Sequence, residues 1–393
     1  MFESWDERRL GEFGECKIGL TYSPDDVVES NGTLVLRSSN IRDGRLLFED
    51  NVYVECSVPD GATVRAGDIL VCVRNGSRAL IGKAAQIDSS AAGNAFGAFM
   101  AVFRSSINDY VFQLLNTDQF TRQVHRCLGA TINQITNADL RSFKFLFPPE
   151  NEQRKIVDIL QTWDSALEKL TALSSAKKKR LRGLRSSLLL SEFRSNGQRH
   201  NWSPTRLSTV THELTERNGK EELGRNFVMG VTKAQGVVPM REQTISRDIS
   251  RYKLLPPRAF AYNPMRINVG SIAMNETSKT VLVSPDYVVF GCNPGGIEPD
   301  YVDHLRKTAW WAHYINSGGS GSVRQRTYYA DLAALRLPLP DIEEQREIVA
   351  ILNAAKADLS STEEMIEAVK LQKRGLMQKL LTGEWRVNLK EVI

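Results

Sequence analysis

Four short runs in the chain combine basic side chains with amide or hydroxyl groups in glycine-rich turns. They are Arg37-Ser38-Ser39-Asn40, Arg74-Asn75-Gly76-Ser77-Arg78 with Lys83 close behind, Tyr262-Asn263-Pro264-Met265-Arg266 with Asn268, and the glycine-rich stretch that ends in Arg324-Gln325-Arg326. Arginine and lysine reach guanine edges and phosphates, and asparagine and glutamine suit adenine, so these turns have the chemistry to read a duplex. A solvated turn has the same composition. The candidate contacts are Arg37, Ser38, Asn40, Arg74, Asn75, Ser77, Arg78, Lys83, Tyr262, Asn263, Arg266, Asn268, Arg324, Gln325 and Arg326.

Catalytic patterns are missing by comparison. The stretch from Gly76 to Ala84 superficially resembles a phosphate-binding loop, but it has one residue too many between its glycines and lacks the metal-binding hydroxyl, so it reads as a turn and strand. None of His125, His200, His212, His304 and His313 lies in an H-E-x-x-H pattern, and no G-x-G-x-x-G follows a strand. Asn263-Pro264-Met265-Arg266 is not the Asn-Pro-Pro-aromatic run of an amino-methyltransferase. Asp60 with Asp68, or Asp286 with Glu298, offer carboxylate pairs without the Glu-x-Lys expected of a nuclease. Cys16, Cys56, Cys72, Cys127 and Cys292 are odd in number and form no C-x-x-C, which points to buried free thiols rather than a disulfide framework or zinc site.

The elements that must position these turns come from a repeat. Shifting the chain by 192 residues aligns Phe147 to Arg194 with Leu339 to Arg386 without a gap, including the Glu-Gln-Arg triplets at 152–154 and 344–346. Trp5-x-x-x-Arg9-Leu10 returns as Trp202-x-x-x-Arg206-Leu207 at an offset of 197. Residues 11–128 and 208–320, in contrast, share almost no identity. The 393 residues are therefore one unit used twice, with a shared frame and a variable part.

In the shared segments, small or apolar residues alternate at spacings of four and three. The first copy gives Ile156, Leu160, Trp163, Leu167, Leu170, Ser174, Lys177, Leu181, Leu184 and Leu188. The second gives Ile348, Leu352, Ala355, Leu359, Thr362, Ile366, Val369, Lys373, Leu376 and Leu380. That is a coiled-coil register held for about five heptads, which predicts two helices of about 40 residues, each roughly 60 Å long. Pro148-Pro149 and Pro340-Asp341 mark their starts, and Asp341 with Glu344 has the capping-box pattern. Two such helices in one chain pair most simply with each other, and a pseudo-two-fold relation between the copies makes that pairing antiparallel, with the variable domains at opposite ends of a rod.

The variable segments carry short β-rich runs (33–36, 68–73, 96–103, 227–231, 270–274, 280–284 and 287–290) between Gly, Asn and Pro turns, then a helical stretch at 109–127 and 300–315. The expected fold class is α/β (α+β): two mixed domains, each with a curled sheet and each followed by a long helix. The boundaries expected are 1–146, 147–194, 195–337 and 338–393.

With PPENEQRKIVDIL at 148–160, PLPDIEEQREIVAIL at 338–352 and QKRGLMQKLLTGEWRV at 372–387, the chain resembles the specificity subunits of type I restriction-modification enzymes over essentially its whole length. GDILVCVRNGS at 67–77 and YKLLPPRAFAYNPMR at 252–266 look like elements of that family's target-recognition domains. The resemblance implies a non-catalytic subunit that binds double-stranded DNA at a bipartite, asymmetric target, one half-site per recognition domain, across a spacer set by the paired helices. It implies two methyltransferase (modification) subunits using S-adenosylmethionine and restriction/translocase subunits using ATP and magnesium as partners, none of those cofactors binding this chain. The first copy departs from the pattern by ending in LRSSLLLSEFR. An enzyme fused to a recognition module, and a free-standing scaffold or regulator, are the competing readings. The resemblance also implies a role in defence against foreign DNA.

Charge and hydropathy fit a cytoplasmic protein of this kind without requiring it. Net charge is +5 and 41% of residues are hydrophobic; the N-terminus is charged, and no run of 18 apolar residues suggests a membrane span. Between Lys177 and Arg199 there are eight basic residues and one acid, a local +7 that leaves the rest at −2. Such a stretch is either a solvated helix end or a collar that attracts a phosphate backbone.

Overall fold

The computed structural model describes residues 4–129, 133–190, 202–220, 222–317 and 326–388. The chain divides into two compact units, Met1–Leu170 with Met365–Ile393, and Thr171–Glu364. Because the helices run antiparallel, each unit contains one variable domain, part of the central helix Glu150–Leu190 and part of the C-terminal helix Ile342–Leu381. Their lengths, 41 and 40 residues, match the heptad reading.

In the first unit, Ile156, Val157 and Leu160 from the start of the central helix share a core with Met377, Leu380 and Leu381 from the end of the C-terminal helix. Farther along, Lys373 Nζ meets Asp164 Oδ1 at 2.6 Å. In the second unit, Leu181 and Leu189 share a core with Ile348 and Leu352, and Lys177 Nζ reaches Asp358 Oδ1 at 2.7 Å and Thr362 Oγ1 at 2.8 Å. The predicted seam residues are all buried or half-buried, Ser174 and Thr362 included, while the positions between them mostly face water.

The shared frame is visible as pairs of equivalent contacts. Trp5 Nε1 donates to Glu152 Oε2 at 3.1 Å, and Trp202 Nε1 to Glu344 Oε2 at 2.9 Å. Asp6–Arg9 pairs antiparallel with Lys144–Phe147, and Ser203–Arg206 with Arg336–Leu339. Backbone N–H groups of Leu10 and Leu207 donate to Phe143 O and Leu335 O, and Gln153 and Gln345 Nε2 donate to Pro148 O and Pro340 O. Asp341 caps its helix through Glu344 N–H at 2.9 Å. The recurring Trp, Arg-Leu, Pro and Gln residues of the repeat are thus the ones that clamp an incoming strand to a helix start.

The two variable domains also share more than their sequences indicate. The first contains a four-stranded antiparallel sheet in the order Gly14–Ile18, Met100–Ser105, Ile69–Cys72, Ala84–Gln86. The second repeats that order with Thr211–Glu213, Val288–Cys292, Phe260–Tyr262 and Ile272–Met274. Paired helices follow in both, Asn108–Leu115 and Asp118–Cys127, then Pro299–Leu305 and Ala309–Ser317. Instead of one curled sheet, smaller separate sheets flank each: Val27–Val28, Thr33–Leu36, Tyr53–Val54 and Ala95–Phe96 in the first, and the pairs Met229–Thr232 with Gly236–Pro239 and Lys253–Leu255 with Val281–Val283 in the second. The single run expected at 96–103 is broken at Gly97, whose carbonyl accepts from Met100 N–H in a turn.

Of the five free cysteines, only Cys72 is fully buried, and Cys127 is exposed, contrary to the expectation of uniformly buried thiols. Burial pushes the Cys72 and Cys16 thiols up to about 11 and that of Cys292 to about 12. Among the described residues, no helix is long and apolar enough to cross a membrane.

Candidate nucleic-acid interface

Two of the sequence-selected turns sit at the same place in their respective domains. Strand Ile69–Cys72 runs out into Val73-Arg74-Asn75-Gly76, and the corresponding strand Phe260–Tyr262 runs out into Asn263-Pro264-Met265-Arg266. Each turn is held from the segment preceding the final short helix of its domain: Ile135 N–H donates to Val73 O at 2.9 Å, and Thr327 N–H donates to Pro264 O at 3.1 Å. One backbone frame therefore presents Arg74 and Asn75 in one unit and Met265 and Arg266 in the other.

In the first unit the frame gathers both basic runs. Asn75 Nδ2 donates to Ser38 Oγ at 3.0 Å, which ties the Arg37 turn to the Arg74 turn, and Asn75 Oδ1 accepts from Ser77 N–H at 2.9 Å. Arg74, Ser77 and Arg78 are exposed, and Arg78 Nη2 reaches Leu128 O at 3.3 Å. Lys83 is half-buried and its carbonyl accepts from Cys72 N–H. Arg37 faces Asp50 at 3.3 Å, which leaves it half-buried and partly neutralised. Asn40 must be removed from the contacts: it is 0% exposed, and its amide donates to Leu47 O, Asp50 O and Asn51 Oδ1. Its role is to close the loop that carries Arg37.

In the second unit Arg266 and Asn268 are exposed, and Asn263 is half-buried with Oδ1 accepting from Met265 N–H at 2.9 Å. Arg326 is exposed and its guanidinium is held toward Tyr328, whose hydroxyl favours the charged form. Arg324 and Gln325 lie outside the described residues. Tyr262 is corrected in the same way as Asn40: it is 0% exposed, packed edge-on to Phe290 in the core, and burial raises its phenol far above the ordinary value. It shares one strand face and one core with Phe260, while Ala261 between them is buried in a second core, so both faces of this strand are covered.

Sequence reasoning passed over the exposed apolar side chains beside these turns. Phe99 is 55% exposed and lies with its ring centroid 4.9 Å from the Arg74 guanidinium carbon, while Met265, Val269 and Tyr328 are exposed around Arg266 and Arg326. The glycine at 97 was the available signal, since it interrupts the apolar run and turns Phe99 outward.

Two of the candidate carboxylates, Asp68 and Glu298, are paired with scaffold arginines. Asp68 accepts from Arg104 Nε at 2.8 Å and Nη2 at 2.6 Å in a buried pair, and Glu298 accepts from Arg346 Nε at 2.9 Å. The stretch from Gly76 to Ala84 forms a short 3-10 turn at Arg78–Leu80 and enters strand Ala84–Gln86, as its composition indicated; Gly82, with φ of +87°, packs against Phe120 and Val124. Within the basic stretch, Lys177 and Lys178 pair with Asp358 and Glu363, and Arg185 Nε donates to His304 Nδ1. Two of those eight charges thus pair across the helices and a third is held by the domain beside them; Arg194 and Arg199 lie outside the described residues.

Residues 3–177 match the family model described as type I restriction modification DNA specificity domain. Over 423 aligned residues, covering 98% of this chain and 94% of the relative, the sequence is 23% identical to a Methanocaldococcus jannaschii protein described as a type I restriction enzyme MjaX specificity subunit. Two solved structures share the fold. The type I restriction-modification S subunit from M. genitalium matches at 14% identity and a TM-score of 0.56 over 96% of both chains. A chain from a structural study of complex assembly and conformational transition of the type I R-M system matches at 17% identity and a TM-score of 0.56, covering 98% of this chain and 100% of the other. The N-terminal copy thus matches a type I restriction modification DNA specificity domain, and the whole chain is similar in sequence to a described specificity subunit of a type I restriction enzyme.

Proposed function

We propose that the chain is the DNA-reading, non-catalytic subunit of its complex, binding a bipartite and asymmetric double-stranded target with one half-site for each recognition domain. One observation carries this reading: equivalent turns at the end of equivalent strands present Arg74-Asn75 in one unit and Met265-Arg266 in the other. A common frame with different side chains suits two unrelated half-sites, since base edges are distinguished by the donors and acceptors brought to them. Exposed arginines supply both phosphate attraction and guanine recognition. Each domain enters a major groove from one side, and a methyltransferase closes on the DNA from the other.

On this reading the paired helices set the spacer and carry two methyltransferase subunits, with restriction/translocase subunits joining the assembly in the cytoplasm. S-adenosylmethionine, ATP and magnesium act in those partners.

The test is to co-express the chain with its methyltransferase partner and map modified adenines genome-wide. A split motif with two unlike halves is the expected result; a palindrome, or failure to co-purify, overturns it. Binding of S-adenosylmethionine by the isolated chain would return the enzyme reading.

A further inference from the structure

Phe99 breaks the burial pattern of its domain. The other phenylalanines near the central strands, Phe96 and Phe103, are fully enclosed, whereas Phe99 presents 55% of its surface to water at the turn between Ala95–Phe96 and Met100–Ser105. Its backbone is fixed: Phe99 O accepts from both Val73 N–H and Arg74 N–H at 3.1 Å. The backbone of Arg74 is bridged on its other side to Gln134. Phe99 and Arg74 are therefore anchored to each other through the main chain before their side chains meet at 4.9 Å.

We propose that Phe99 is a specificity-determining positioning residue: its ring supports the Arg74 guanidinium so that Arg74 reads one base of the half-site bound by the first recognition domain. A guanidinium lying against a ring keeps its edge N–H groups free, and those are the groups that donate in a bidentate contact to guanine O6 and N7. An unsupported arginine on an exposed turn samples many rotamers, and ordering it on DNA costs side-chain entropy. The ring removes part of that cost only in the conformer it supports, so it sharpens discrimination rather than raising affinity for any duplex. Lysine is a poorer substitute: its ammonium can reach a guanine edge, but it has no plane to stack on the ring and no rigid fork to fix a bidentate contact.

This inference rests on the DNA-reading function proposed above, and the experiment separates the two. Phe99→Ala, Phe99→Trp, Arg74→Ala and Arg74→Lys are made in the full chain, co-expressed with the methyltransferase partner, and the modified motif of each is mapped. Arg74→Ala and Arg74→Lys are expected to relax one position of one half-site, with discrimination there falling about ten- to a hundred-fold. Phe99→Ala is expected to relax the same position by a smaller factor, Phe99→Trp to keep it, and the second half-site to be unchanged in all four. The proposal is overturned if Phe99→Ala leaves that position as strict as in the parent, if it weakens all positions equally, or if Arg74→Ala relaxes none. Should the parent itself give no split motif, it is the DNA-reading function that fails instead.

Discussion

Single residues in the second unit show how its recognition domain is fastened to the helices. Asp303 is 2% exposed; burial opposes its charge, but Arg306 and Lys307 outweigh that penalty and hold its carboxyl at about 2. Asp303→Asn leaves two adjacent cations unpaired and should cost on the order of 3 kcal/mol in denaturant unfolding of the full chain. His304, beside it, accepts from Arg185 Nε at 3.2 Å on Nδ1, so its proton sits on Nε2 and is donated to Asn353 Oδ1 at 2.9 Å. Burial first, then the Arg185 charge, keep the ring below its ordinary value of 6.5, against the pull of Asn353 and Asp303. A group whose folded value is lowered contributes stability that is present above the unfolded value and lost as pH falls through the folded one. Melting temperature should therefore drop between pH 7 and pH 5.5, a window in which Asp303 stays charged, and the drop should shrink in His304→Gln.

At the scale of elements, the heptad register was legible because coiled-coil burial depends on spacing along one helix, which is a local property. Leu160 and Leu352 are both 0% exposed, and changing either to Ala should cost about 2–5 kcal/mol by differential denaturation. Lys373 occupies a seam position too, but its partner Asp164 is 40% exposed, so Lys373→Met should shift stability by less than about 1 kcal/mol in the same measurement. Glu152 joins three segments, accepting from Trp5 and from both Arg386 Nε and Nη2 at 2.7 Å; burial works against its charge, but these donors keep its carboxyl below the usual range. The Glu-Gln-Arg triplet was visible as a repeat, yet what its glutamate holds was not, since Trp5 lies 147 residues away.

For the whole molecule, the proposed spacer role makes its own prediction. Inserting one heptad into both long helices should lengthen the spacer of the mapped motif and leave both half-sites as they were; altered half-sites would refute it. The sequence by itself determined the duplication, the two helices with their seam, and the residue types available for reading DNA, because each is written in spacing or side-chain chemistry. Only the tertiary structure decided that domains without sequence identity share one strand order, and that the turns at Arg74 and Arg266 are equivalent. It also decided that Asn40 and Tyr262 face inward while Phe99 faces out. The physical reason is that a sheet's order rests on backbone pairing, which many sequences satisfy. Whether a polar side chain on a turn meets solvent or the core depends instead on neighbours brought in from far along the chain.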